Sequence, residues 1–71
     1  MKISARNRLR GKIVEVTKGK TTAHMRIDTG DAIVTAAITN EAVDELGLKV
    51  GQEAYAVIKA SDVMVAVAVD G

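Results

Sequence analysis

Apolar and polar residues alternate with a period of two along most of the chain. The segment 22–28, TAHMRID, places Ala23, Met25 and Ile27 on one face and polar side chains on the other, which is typical of a half-buried strand. The segment 12–17, KIVEVT, is rich in the β-branched residues that strands favour. Apolar segments that also fit strands follow later, at 32–39, 53–59 and 63–69.

The period changes once, over NEAVDEL at 40–46, which predicts a short helix. Thr39 or Asn40 can cap its N-terminus, and Gly47 stands where a left-handed C-cap belongs. Tight turns join the strands on either side, as at Gly30, where glycine adopts a positive φ at little cost. The result is five strands, with one helix between the third and the fourth.

This order of elements predicts an all-β fold, a five-stranded OB-like Greek-key barrel with one short helix between strands three and four. Residues 1–71 form a single domain in this interpretation. Closure into a barrel would leave the sheet without exposed edges.

The later strands are apolar on both faces. In 63–69 four valines alternate with Met64, Ala66 and Ala68, so neither face is polar. The strand is either wholly buried inside one subunit or covered by a second copy of the chain. Because 71 residues cannot cover both faces of so many strands, the pattern favours an interface between copies.

Composition points the same way. Hydrophobic residues make up 48% of the chain, mostly Ala and Val, and Tyr55 is its one aromatic residue. A domain this small usually needs a further source of stability. The absence of Cys excludes stabilisation by a disulfide, and the presence of only one histidine, His24, disfavours stabilisation by a bound metal cation. Oligomerisation is the source of stability that this composition still allows.

Several functional classes are disfavoured. The sequence has no apolar run of membrane-spanning length, and its N-terminus lacks the apolar core of a signal peptide, so we expect a cytoplasmic protein without a membrane partner. We expect no enzyme, since a domain of this size has little room for a cleft that holds a tuned acid or base.

Charge is distributed unevenly although the net charge is only +1. Residues 1–26 hold eight of the ten cations and one of the nine carboxylates, and residues 27–71 hold the remainder. Either the N-terminal region binds an anion, or the two halves simply pair with each other.

Two short segments combine small residues, hydroxyls and cations. They are Ser4-Ala5-Arg6-Asn7 before the first strand and Lys59-Ala60-Ser61 at the last turn. Backbone N–H groups, hydroxyls and one or two cations could together hold a tetrahedral oxyanion. As a pattern this is weak by itself, because Ser, Arg and Lys are common near turns.

A resemblance to a known family strengthens this interpretation. ISARNRLRGKIVEV at 3–16, ITNEAVDELGL at 38–48 and AVIKASDVMVAV at 56–67 closely resemble the molbindins, small cytoplasmic molybdate-binding proteins with a TOBE-type domain. The similarity extends from Met1 to about Val67, and the combination of SARN and KAS is its most specific part.

The resemblance implies the ligand, the assembly and the site. It implies a homohexamer, assembled as a trimer of dimers, that binds molybdate or tungstate between subunits, with no organic cofactor and no metal bound except as the oxyanion. Carried over by motif, the oxyanion-binding residues are Ser4, Ala5, Arg6, Lys59, Ala60 and Ser61, and Thr39 matches a further position. Ala42 falls where some relatives carry Ser, and the family's second type of site has no evident residues here.

The expected function is therefore storage or buffering of molybdate and tungstate. The alternative is an OB-fold nucleic-acid-binding module that uses the basic N-terminal segment, with Arg6, Arg8, Arg10 and Lys12 against the phosphates. The single aromatic residue disfavours it, because OB folds that bind single strands stack the bases on aromatic side chains.

Overall fold

An antiparallel sheet of four strands is the frame of the protein over residues 1–69, the part that the computed structural model describes. The elements in chain order are β1 (Asn7–Lys18), β2 (Thr22–Asp28), β3 (Ile33–Thr39), α1 (Asn40–Leu46), β4 (Glu53–Ile58) and a 3-10 turn (Ala60–Asp62). The strands lie in the order β3-β2-β1-β4. The curled sheet and its single short helix are consistent with an OB-like fold.

Strand β1 joins the two halves of the sheet. It begins at Asn7, five residues earlier than the alternation predicted, and its first half pairs with β4 while its second half pairs with β2. Lys12 is opposite Glu53 of β4 on one side and Asp28 of β2 on the other. The strand that pairs with β1 therefore changes from β4 to β2 at Lys12. A register shift just after this point, between Ile13 and Glu15, is typical of a β-bulge, which bends the strand and increases its twist.

A small hydrophobic core is formed by residues from three of the strands. Ile13, Met25, Ile27 and Ala56 form its buried centre. Partly buried aliphatic side chains from β1, β3, β4 and the loop after α1 surround them. The inward residues of β2 are the ones that the alternation predicted. The core is thin, as expected for a chain of this length.

Helix α1 packs against β2 and β3, and the structure confirms its predicted bounds, Asn40–Leu46. The Thr39 Oγ1 accepts a hydrogen bond from the Ala42 N–H at 3.0 Å, and Gly47 adopts the left-handed conformation at φ 62°. The Asn40 side-chain amide donates to the carbonyl of Gly19 at 2.8 Å, which ties the helix to the β1–β2 turn. No helix in the described part of the chain is long and apolar enough to cross a bilayer.

The prediction of five strands is wrong for residues 1–69. The segment 63–69 forms no ladder there, and its side chains are strongly exposed, with Met64 at 94% and Val65 at 89%. The sheet therefore stays open between β3 and β4 and does not close into a barrel. The physical reason is that alternation predicts an extended backbone but not the presence of a hydrogen-bonding partner.

Candidate functional site

The two segments with the SARN and KAS motifs meet at one end of the sheet. Asn7 and Ile58 form the last pair of the antiparallel β1–β4 ladder, so the residues just before β1 and just after β4 emerge side by side. Ser4, Ala5 and Arg6 precede this last pair, and Lys59, Ala60 and Ser61 follow it. Two segments more than fifty positions apart in sequence therefore leave the sheet at the same end.

Asn7 holds this junction together. Its side-chain amide donates to the Ile58 carbonyl at 3.2 Å, across the end of the ladder. Asn7 belongs to the SARN motif, but it was not among the residues expected to bind the oxyanion. Asn7 could only have been recognised from the strand register, because its partner is 51 positions away.

The backbone of the KAS segment turns tightly. The Asp62 N–H donates to the Lys59 carbonyl at 2.9 Å, and the Val63 N–H donates to the Ala60 carbonyl at 3.3 Å. In such a 3-10 turn the first N–H groups lack an acceptor within the turn itself. The amides of Ala60 and Ser61 are therefore suited to bind an external acceptor.

The site carries two cations. Arg6 and Lys59 are both exposed, and the salt bridges found over residues 1–69, Arg10–Glu53 and Lys18–Asp44, leave both of them without a carboxylate partner in that range. Two neighbouring positive charges repel each other unless an anion lies between them. The arrangement can thus attract a divalent anion and supply its counter-charge.

Thr39 lies at the other end of the sheet. It is opposite Thr22, next to the pair of Lys18 and Ala23, whereas the SARN and KAS segments meet at Asn7. The length of β1 separates these places, so one copy of the chain does not bring Thr39 to the other six expected residues. Its hydroxyl oxygen already caps α1.

Three basic residues of β1, at alternating positions 8, 10 and 12, form an exposed row on one face of the strand. Arg8, Arg10 and Lys12 are opposite Val57, Tyr55 and Glu53, respectively. Arg10 donates to the Glu53 carboxylate at 2.8 Å, and this hydrogen bond, with the charge of Glu53, raises the pKa of Arg10. Part of the row is therefore already neutralised, which weakens the case for a phosphate backbone as its ligand.

Comparison with known proteins identifies the family of the chain. The TOBE domain model matches residues 3–65. A protein of Haemophilus influenzae named as a probable molybdenum-pterin-binding protein is 50% identical over 68 residues, which cover 94% of this chain and 99% of that protein. The chain belongs to the molbindin family of TOBE domains.

Two solved structures resemble this molbindin fold closely. A molybdate-binding protein from Sporomusa ovata has a TM-score of 0.88 at 36% identity, and the match covers 93% of this chain and 98% of the other. The cytoplasmic molybdate-binding protein ModG, solved with molybdate bound, has a TM-score of 0.85 at 42% identity. There the match covers 90% of this chain but only 46% of ModG.

Proposed function

We propose that this chain, as one domain over residues 1–71, binds molybdate and tungstate at sites between the subunits of a homo-oligomer. The observation that supports the proposal is the β1–β4 register, whose last pair is Asn7 and Ile58. The segment before β1, with Ser4, Ala5 and Arg6, and the segment after β4, with Lys59, Ala60 and Ser61, therefore leave the sheet at the same end. The molybdate-binding relatives of known structure support the choice of ligand.

The proposed contacts fit the chemistry of a tetrahedral dianion. Arg6 and Lys59 provide the counter-charge, the amides of Ala5 and Ala60 donate to oxyanion oxygens, and the hydroxyls of Ser4 and Ser61 can donate as well. Hydrogen bonds to a charged group contribute on the order of 1.5–3 kcal/mol each. A few of them offset the cost of desolvating the ion and give micromolar or tighter binding.

A second copy of the chain would complete the site. Almost all the expected contact residues are exposed in one copy, so an oxyanion held there would remain open to water on one side. Water screens charge and weakens hydrogen bonds, whereas an interface excludes it. A neighbouring copy could also supply Thr39, because within one copy Thr39 lies at the opposite end of the sheet from the SARN and KAS segments. A hexamer built as a trimer of dimers is the proposed assembly.

Nothing in this binding scheme makes or breaks a covalent bond, so the proposed role is storage or buffering of the oxyanion without an organic cofactor. We place this role in the cytoplasm, where ModG, a structural relative, is described as acting.

Isothermal titration of the whole protein with three anions tests this function. Molybdate and tungstate, which are similar in size and charge, should bind with comparable micromolar or tighter affinity, whereas the smaller sulfate should bind at least about tenfold more weakly, a difference of about 1.4 kcal/mol. Sulfate at the same concentration is thus the control for a general charge effect. Absence of measurable molybdate binding would contradict the proposal.

A further inference from the structure

The hydrogen bond between Asn7 and Ile58 is placed where it can orient the KAS segment. The Asn7 side-chain amide donates to the Ile58 carbonyl at 3.2 Å, and this carbonyl belongs to the peptide unit that ends at the Lys59 nitrogen. The unit is trans and planar, so a hydrogen bond that holds its oxygen also restrains the direction of its N–H. Asn7 therefore restrains the first peptide unit of the KAS segment as well as the strand before it.

The proposed amide donors lie a short way beyond this restrained unit. Two soft dihedral angles of Lys59, φ −64° and ψ 139°, separate it from the peptide unit that carries the Ala60 N–H. The 3-10 turn, closed by the hydrogen bond from the Asp62 N–H to the Lys59 carbonyl, then fixes the Ser61 amide relative to that of Ala60. A rotation of the peptide unit between Ile58 and Lys59 would therefore carry both donors with it.

Little else restrains this end of the sheet in the described residues. Asn7 and Ile58 are the last pair of their ladder, so a neighbouring pair supports them on one side only, and such ends open most easily. Residues 59–61 are exposed, and no side chain of residues 1–69 caps the 3-10 turn. The Asn7 amide therefore ties the end of the SARN motif directly to the start of the KAS motif.

We propose that Asn7 is a positioning residue, whose side-chain amide holds the KAS donors in place for the oxyanion without contacting the oxyanion itself. An anion binds less tightly when its donors must first be ordered, because the lost conformational freedom reduces the net free energy of binding. The inference rests on the proposed function for its ligand. The order of the KAS segment can be measured without any oxyanion, so the two ideas can fail separately.

Full-length Asn7→Leu tests this role, because leucine has nearly the same size as asparagine but cannot donate a hydrogen bond. Amide NMR relaxation of the free variant should show greater backbone mobility at residues 59–61 than in the wild type. Isothermal titration should show molybdate affinity lower by about 3- to 10-fold. The matched control is Thr29→Val, which removes the hydrogen bond from the Thr29 hydroxyl to the Ala32 carbonyl, 3.1 Å long, in the β2–β3 turn. It should change neither quantity.

A purely structural role for Asn7 would lower the unfolding midpoint of Asn7→Leu but leave residues 59–61 as ordered as in the wild type, and that result would overturn the proposal. Wild-type affinity in Asn7→Leu would overturn it as well and leave the proposed function intact. A wild type that does not bind molybdate would contradict the proposed function instead. If Asn7→Leu does not fold, Asn7→Ser replaces it with the same expectations, since the serine hydroxyl is one bond shorter than the amide.

Discussion

Replacement of Arg6 or Lys59 by alanine is expected to weaken molybdate binding by about 10- to 100-fold in each single variant. The range follows from the loss of a charge-assisted hydrogen bond worth on the order of 1.5–3 kcal/mol. Both side chains are exposed and lie outside the core, so the thermal unfolding midpoint of the free protein should stay close to that of the wild type. Isothermal titration and circular dichroism measure the two quantities.

The chain offers matched controls for these two substitutions. Arg26→Ala and Lys49→Ala remove the same charges from exposed positions that are remote from the SARN and KAS segments, in β2 and in the loop before β4. They should retain wild-type affinity to within about threefold, since screening in salt leaves distant exposed charges little influence. If all four variants lose affinity equally, the anion responds to overall charge and not to the proposed site.

Gly11→Ala is expected to destabilise the fold by about 1–3 kcal/mol, the usual cost of an added methyl group in a packed position. A Cβ at Gly11 would stand 2.5 Å from the Asp28 carbonyl oxygen and 2.8 Å from Ile27 Cγ2, so the backbones of β1 and β2 would have to move apart. In a domain of this size that corresponds to a fall of roughly 5–20 °C in the unfolding midpoint. Differential scanning calorimetry gives the value.

Gly47→Asn is the control for the loss of a glycine. A Cβ at Gly47 meets nothing within 4 Å, and asparagine tolerates the left-handed conformation that the helix cap requires. Its midpoint should fall much less than that of Gly11→Ala. Equal losses in the two variants would show that chain flexibility, and not the close approach of β1 to β2, makes Gly11 necessary.

Local patterns in the sequence predicted the parts of the fold that depend on local interactions. The alternation at 22–28 and the helix at 40–46 are confirmed, as are the Thr39 cap and the left-handed Gly47, because periodicity and capping involve residues close in sequence. The start of β1 was missed because its first half has exposed Arg8 and Arg10 and is held by pairing with the distant β4.

The fifth strand and the oxyanion contacts could not be predicted reliably from local patterns. Both depend on residues that are distant in sequence or that lie in another copy of the chain. The segment 63–69 has the composition of a strand, but within residues 1–69 no edge of the sheet is paired with it. The composition of the SARN and KAS segments predicted that they bind a ligand, but only the Asn7–Ile58 register showed that they leave the sheet at the same end. Thr39, at the far end of β1, was carried over from the family resemblance alone, and its contact with an oxyanion stays a prediction.

Native mass spectrometry of the purified protein, with and without added molybdate, tests the central claim most directly, because it reads the number of chains and the bound oxyanion in one spectrum. We expect a homo-oligomer, with a hexamer as its main form, whose mass rises on addition by whole multiples of the molybdate mass. The same spectrum of Lys59→Ala should show far fewer bound oxyanions. A monomer whose mass does not change with molybdate would contradict both the proposed site and the proposed assembly.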